Sequence, residues 1–360
     1  MRRSRTLALA GLAVGSTALA LLGAEIVLRW TTPETFGQTP NERQYSWLVD
    51  DPILGFANRP DFTHPELRIN RLGFRGAEMA PPGSGMRRIV CLGDSSTFGL
   101  RLDGVPGEPE KKRRRFDNYS DELARLLGEE GRSDVEVVNA GVIGYTSSHG
   151  LRLLVTRVLA LEPAVVTVRF GLNDHKIVSP RSGRRIQEPD RFWLREPLYR
   201  FAGWRLMRLG LRAYRSATWL RPGGDPIYWV APARFAADLR RFAELARQHR
   251  FHLLFIDYPL RPLDWGEHPH DVRVYRPAGQ ASLADFHALH ARYQALLQSV
   301  ATEEGVPLLR TRDAFGRRAD PLFGEWDFVH PNERGARELA RLLLAKLAAL
   351  DWLPELPPSR

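Results

Sequence analysis

Five short apolar runs, each followed by a stretch of helical periodicity, constrain this chain more than any other feature. The runs are Arg88–Leu92, Val135–Asn139, Ala164–Phe170, Phe251–Tyr258 and Pro307–Arg310. The periodicity predicts helices over Tyr119–Glu129, His149–Leu161, Pro232–Gln248, Ala281–Glu304 and Glu333–Leu350. Apolar runs without alternation are how strands covered on both faces read. Strands that alternate with helices through right-handed crossovers build a parallel sheet with helices on both sides. The expected fold class is therefore α/β, a three-layer α/β/α sandwich. With 360 residues, 43% of them hydrophobic and 26% charged, the chain is long enough to bury a full core.

The N-terminus adds a second constraint. Three arginines lie within Met1–Arg5, and Leu7–Leu28 follows with Glu25 as its single charge. About 20 apolar residues cross a bilayer, whereas a cleavable signal usually has an apolar region of about 7–15. The expectation is an uncleaved signal anchor that spans the inner membrane once. Arginines ahead of the span leave the bulk of the chain outside the cytoplasm, in the periplasm. Ala18-Leu19-Ala20 also fits a cleavage site, so a secreted, cleaved form stays open. The chain then divides into the anchor at 1–30, a proline-rich tether and edge segment at 31–86, and a globular domain at 87–352. Insertions interrupt that domain at 175–231 and 260–280.

The net charge is +10, and nearly all of it is arginine. Such a balance suits an anionic partner. No zinc-finger, RNP-type or heptad-plus-basic pattern accompanies it, so nucleic acid is not expected. Within the first insertion, Arg205, Arg208, Arg212 and Arg215 recur at helical spacing over Leu198–Leu220, either as a solvated face or as a membrane-surface or lid helix. The run Lys111-Lys112-Arg113-Arg114-Arg115 reads as a solvated loop, with contact to an anionic substrate or lipid headgroup left open. His268-Pro269-His270-Asp271 lacks a further ligand at a known spacing, so no metal site is expected there. The single cysteine, Cys91, lies inside the first apolar run and excludes an intramolecular disulfide.

Chemistry gathers where these runs end. Ile89-Val90-Cys91-Leu92 stops at Gly93 and passes directly into Asp94-Ser95-Ser96-Thr97. Ligands of open α/β sheets bind outside the carboxyl ends of the strands, which is where Ser95 falls. Acyl transfer by serine needs a base, a group to orient it, and donors for the oxyanion. Asp327 and His330 in Trp326-Asp327-Phe328-Val329-His330-Pro331-Asn332 offer orienter and base, at the spacing of one helical turn. Asp327 would accept the Nδ1 proton and leave Nε2 to deprotonate Ser95. Donors are available from Ala140-Gly141-Val142-Ile143-Gly144 after the second strand and from Asn173 in Gly171-Leu172-Asn173-Asp174 after the third. The Ser95 N–H would complete the set.

In this arrangement the chain resembles the SGNH (GDSL-type) hydrolases over roughly residues 87–350. Their four blocks match in order as Gly93-Asp94-Ser95-Ser96, Gly141, Gly171-Leu172-Asn173-Asp174 and Asp327-Phe328-Val329-His330. The resemblance implies a flavodoxin-like sandwich and a serine mechanism that needs no cofactor. It implies Ser95 as nucleophile, His330 as base, Asp327 as its partner, and Ser95, Gly141 and Asn173 around the oxyanion. Ser96 stands where the name-giving motif has leucine. The Asn70-Arg71-Leu72-Gly73-Phe74-Arg75 stretch is similar to a segment of membrane-tethered members. The expected function is a membrane-tethered esterase acting on O-acyl, especially acetyl, esters of cell-envelope carbohydrate, with lipid esters open. Its rivals are an O-acyltransferase with a sugar acceptor and a non-catalytic envelope binding module.

Overall fold

The structure, a computed structural model, describes residues 2–31, 46–51, 53–81, 83–105, 108–115, 117–175, 228–261, 283–316, 322–324 and 327–353. The chain divides into two compact units, the first holding Met1–Ala57 and the second Asn58–Gln187 with Asp225–Arg360. In the first unit lie helix α1 (Arg2–Thr31) and strand β1 (Leu48–Asp51), which pairs with β2 (Gly55–Asn58) at the unit's end. Large apolar side chains of α1 stand exposed, among them Leu12, Leu19, Val27 and Trp30. Among the described residues no helix is long and apolar enough to cross a membrane. The spanning expected of Leu7–Leu28 thus finds no support in the structure.

The second unit opens with a small hairpin of β3 (Thr63–His64) and β4 (Leu67–Arg68). Its elements continue as β5 (Arg87–Gly93), α2 (Ser95–Phe98), β6 (Arg101–Val105), β7 (Glu108–Arg115), α3 (Tyr119–Glu129) and β8 (Val135–Gly141). Then come α4 (Ser147–Leu153), β9 (Val165–Arg169), α5 (Pro232–His249), β10 (His252–Ile256), α6 (Leu283–Glu303) and β11 (Leu308–Leu309). The last are α7 (Arg312–Gly316), β12 (Phe323–Gly324), β13 (Asp327–Pro331) and α8 (Glu333–Ala349). The fold is α/β around a parallel sheet of five strands in the order β11-β10-β9-β5-β8.

Numbered along the chain, that order is 2-1-3-4-5, the flavodoxin-type doubly wound arrangement. The direction of winding reverses between β5 and β9, and ligands of such sheets bind beyond the carboxyl ends of the strands at that point. On one face Ile89, Cys91, Val165, Leu254 and Ile256 pack with Leu123 and Leu127 of α3 and Leu339 and Leu343 of α8. On the other, Phe170 stacks on Phe242 of α5 at 6.4 Å. Gly150 of α4 comes so close that a Cβ there would stand 2.2 Å from the Phe170 ring.

Two local expectations change. The helix predicted over His149–Leu161 is regular only to Leu153, then becomes a π turn (Leu154–Val158) and a 3₁₀ turn (Leu159–Leu161). Val155, Thr156 and Val158 crowd their χ1 against the preceding turn, which weakens a regular helix there. The run Lys111–Arg115, read as a loop, forms strand β7 of an antiparallel hairpin, with Arg113 opposite Asp103. This hairpin lies beside β12 and β13. The basic stretch Leu198–Leu220 and the His268–Asp271 cluster lie outside the described residues.

The Asn70–Arg75 segment has a definite place. Asn70 Oδ1 accepts from the N–H groups of Leu72 and Phe74, both at 3.0 Å, closing a tight turn through Gly73 at φ +82°. Arg75 N–H then donates to Asn139 O at 3.1 Å, adding a bridge to the edge of β8. The buried Arg75 guanidinium lies over the Phe98 ring and donates to Phe98 O, so the segment grips the helix that begins at Ser95.

Candidate active site

Ser95 opens the four-residue helix α2 immediately beyond β5. Asp94 caps it: its Oδ1 accepts the Ser96 N–H at 2.9 Å, and its main-chain oxygen accepts from Phe98 at 2.8 Å. Gly99 ends the helix at φ +82°, where a Cβ would meet Asp117 O at 2.4 Å. A side chain is therefore excluded both by the left-handed backbone and by space. The Ser95 N–H occupies the first helical position, where no intrahelical acceptor exists.

His330 reaches this turn from β13. Its Nε2 lies 2.8 Å from Ser95 Oγ, within hydrogen-bond distance. Val329, wholly buried with Leu172, Tyr258 and Phe286, holds the strand in place. Asn332 then caps α8 by accepting the Gly335 N–H at 3.0 Å. One expectation needs correction here. Asp327 and His330 belong to an extended strand, with Gly324 of β12 paired to Asp327, so the one-turn argument for their common direction does not apply. The Asp327 side chain itself lies outside what is described.

The expected oxyanion donors separate into those free to serve and those already engaged. Gly141 N–H donates to Asn139 Oδ1 at 2.9 Å, so the expected donor is committed to its own strand end. Its missing side chain serves packing instead, because a Cβ would stand 2.2 Å from Phe98 N. Three residues on, Val142–Tyr145 forms a β-turn closed by Tyr145 N–H to Val142 O at 3.2 Å, with Gly144 at φ +81°. A positive φ at the third turn position is the type II requirement for glycine. Among the described residues the Gly144 N–H has no hydrogen-bond partner. The signal that could have singled it out is the Gly144-Tyr145 pair that ends the block, where a turn needs glycine.

Asn173 sits between the blocks. Its Nδ2 donates to Tyr145 O at 2.9 Å and to Asp94 Oδ2 at 3.2 Å, so one amide ties the second block to the first. The next residue, Asp174, turns the other way. Its Oδ1 accepts from Ser147 N–H at 2.9 Å and Ser147 Oγ at 2.6 Å, and its Oδ2 from Gly171 N–H at 3.0 Å. Burial pushes the Asp174 carboxyl up to about 7, against the opposing effect of the Ser147 bonds. Behind it, Asp238 accepts from Ser147 Oγ at 3.0 Å and pairs with Arg234 at 2.7 Å. Further along, His290 Nε2 donates to Tyr258 O at 2.7 Å, which leaves its Nδ1 to accept from His175 Nε2 at 3.0 Å. Burial holds the His290 imidazole down at about 3, hence neutral.

A serine–histidine hydrogen bond at the switch point of a doubly wound sheet defines the class, an α/β enzyme equipped for attack by an alcohol oxygen. The sequence profile of the GDSL-like Lipase/Acylhydrolase family matches residues 91–338, and the chain belongs to that family. It is a serine ester hydrolase. Among solved structures, the chain is similar to the lipase/acylhydrolase from Enterococcus faecalis, at 19% identity over 76% of this chain and 100% of that one, with a TM-score of 0.46. It is similar to LAE5, an alpha/beta hydrolase enzyme from the metagenome of Lake Arreo, Spain, at 19% identity over 75% and 97%, TM-score 0.44. It is similar also to Axe2, an acetylxylan esterase from Geobacillus stearothermophilus, at 16% identity over 75% and 97%, TM-score 0.43. No curated protein matches the chain.

Proposed function

We propose that Ser95 is the nucleophile of an acyl-ester hydrolase, with His330 as its base. The observation that carries the reading is the 2.8 Å bond between Ser95 Oγ and His330 Nε2. His330 takes the hydroxyl proton as Ser95 Oγ attacks the ester carbonyl carbon, and a tetrahedral oxyanion forms. The proton passes from Nε2 to the leaving alcohol oxygen, the carbon–oxygen bond breaks, and an acyl-Ser95 remains. Water, deprotonated by the same nitrogen, then attacks the acyl carbon and releases the acid. Asp327 is the residue we assign to hold the histidine ring through Nδ1, from its place three residues before His330.

Around the oxyanion we place the Ser95 N–H, the Gly144 N–H in place of Gly141, and Asn173 Nδ2. Asn173 would lend the N–H that now makes the longer of its two bonds, the one to Asp94. Removing one such donor costs about 10²–10³ in rate, so the assignment is measurable.

The physiological ester we propose is an O-acyl, in particular O-acetyl, ester of cell-envelope carbohydrate. Three arginines ahead of the apolar stretch Leu7–Leu28 support a membrane-tethered placement with the hydrolase domain on the periplasmic side. On this reading 1–30 anchors, 31–86 tethers and 87–352 forms the catalytic domain.

The test uses full-length protein in detergent on p-nitrophenyl acetate and octanoate, beside Ser95→Ala. Turnover of the acetyl ester that disappears in the variant is expected. Equal rates in the two proteins overturn the assignment of Ser95. Acylated sugar forming faster than free acid, when carbohydrate acceptors are added, would make the enzyme a transferase. Full-length protein that stays with washed membranes is the outcome expected of the tether, and soluble protein of unchanged mass would refute it.

A further inference from the structure

Arg169 is a buried cation next to the nucleophile turn, and the mechanism above gives it no part. It ends β9 opposite Gly93 of β5, and its exposure is 0%. Its Nη1 donates to Ser96 Oγ at 2.5 Å. Its guanidinium carbon lies 4.3 Å above the Tyr258 ring centre. Among the described residues its Nε and Nη2 have no hydrogen-bond partner, so Ser96 supplies the acceptor that it does have.

A buried guanidinium is expensive unless an opposite charge and an acceptor meet it. The opposite charge nearest the nucleophile is Asp94, also at 0% exposure. Two neutral residues connect the charges. Ser96 accepts from Arg169 through Oγ while its N–H donates to Asp94 Oδ1 at 2.9 Å. Tyr258 lies beneath the guanidinium while its hydroxyl donates to the same Oδ1 at 3.3 Å. A second carboxylate, Asp257, also feels the Arg169 charge, but its oxygens are taken by Thr311 and Arg312 main-chain N–H groups and the Thr311 hydroxyl.

From this geometry we infer that Ser96 and Arg169 act as one positioning pair. Together they fix the Asp94–Ser96 turn, and through Asp94 they set Asn173 relative to Ser95. The serine that replaces the leucine of the name-giving motif is thereby matched to an arginine seventy-three residues away. Leucine at 96 would offer the guanidinium no acceptor. The inference rests on Ser95 being the nucleophile.

Full-length protein and five variants test it: Ser96→Ala, Ser96→Thr, Ser96→Leu, Arg169→Met and the double Ser96→Leu/Arg169→Met. The readouts are kcat and KM on p-nitrophenyl acetate and the rate at which a fluorophosphonate probe labels Ser95, well below each melting midpoint. Ser96→Ala is expected to lose about ten- to a hundred-fold in kcat and labelling rate, with KM within about two-fold. Ser96→Thr, which keeps the hydroxyl, should stay near wild type. Ser96→Leu should fall furthest, and adding Arg169→Met should restore part of the loss, since the stranded cation is gone.

Labelling and kcat of Ser96→Ala within about two-fold of wild type would overturn the inference, as would a double variant in which the two losses multiply. Should Arg169→Met fail to fold, the Ser96→Ala and Ser96→Thr contrast decides alone. Wild-type protein that shows no Ser95-dependent labelling overturns the serine reading and this inference together. Wild-type labelling matched by Ser96→Ala overturns this inference only.

Discussion

Asn173 and Asp174 are consecutive, both buried, and face opposite sides of one turn. Asn173 looks toward the Ser95 turn and holds groups from two other loops, Asp94 and the Tyr145 carbonyl. Asp174 looks back into the fold, where it closes its own turn through Gly171 and receives the first residue of α4. The asparagine's bonds are ones that a reacting oxygen can borrow. Of the aspartate's three donors, the Ser147 hydroxyl can turn to Asp238, but the main-chain N–H groups of Ser147 and Gly171 have no other acceptor among the described residues. On the proposed mechanism, chemistry and scaffold are divided between adjacent side chains, and each should be removable without the other.

The largest effect is expected from Asn173→Ala, about 10²–10³ in kcat/KM with little change in melting midpoint. A variant that unfolds readily while its folded fraction keeps full activity would break the comparison. Asp174→Ala should do the reverse. It strands buried donors from Ser147 and Gly171, at about 1–3 kcal/mol for each group left unmet, while folded enzyme keeps most of its turnover. Urea titrations paired with active-site labelling separate the two outcomes.

The third prediction concerns protons. The Asp174 carboxyl stands at about 7, above its ordinary 3.8, so folding favours its protonated form. Its contribution to stability is complete below the ordinary value and fades as pH rises toward 7. His290 runs the other way, held near 3 against an ordinary 6.5, so its contribution is complete above 6.5 and fades as pH falls. Replacing Asp174 with asparagine should therefore make the melting midpoint climb more steeply between about pH 4 and 7 than in wild type. An unchanged slope would remove the titrating role. Smallest of all, Arg234→Gln should cost about 1 kcal/mol in the same urea titrations, because the arginine end of the pair lies partly in solvent and buried Asp238 keeps the Ser147 and Ser148 hydroxyls. A larger loss would show that the scaffold side depends on charge more than on its serine hydroxyls.

Much of the sheet was legible in the residues. Short apolar runs without alternation read as doubly covered strands, and the helix read over Tyr119–Glu129 is α3 with the same bounds. The strand end at Gly93 followed by Asp94-Ser95 placed the turn from β5 into α2. What escaped depends on partners distant in sequence. Gly141 and Gly144 look alike on the page, yet one is needed because α2 packs against it and the other because a turn reverses there. Asp327-Phe328-Val329-His330 is short enough to suit a helical turn or a strand, and pairing with β12 decides for the strand. Arg169 stood openly inside Val165-Val166-Thr167-Val168-Arg169-Phe170, but nothing local says that Ser96 receives it. The basic run Lys111–Arg115 became a strand because β6 precedes it to pair with.

Cys91 carries a practical consequence for anyone labelling this protein. It is the chain's only cysteine, wholly buried between β8 and β9, and burial pushes its thiol up to about 12. Hardly any thiolate exists at neutral pH, and no reagent reaches it while the sheet is closed. A cysteine introduced on the surface would take a fluorophore or spin label alone, with no background to subtract. The native thiol, silent until the sheet opens, would report global opening as a chemical clock.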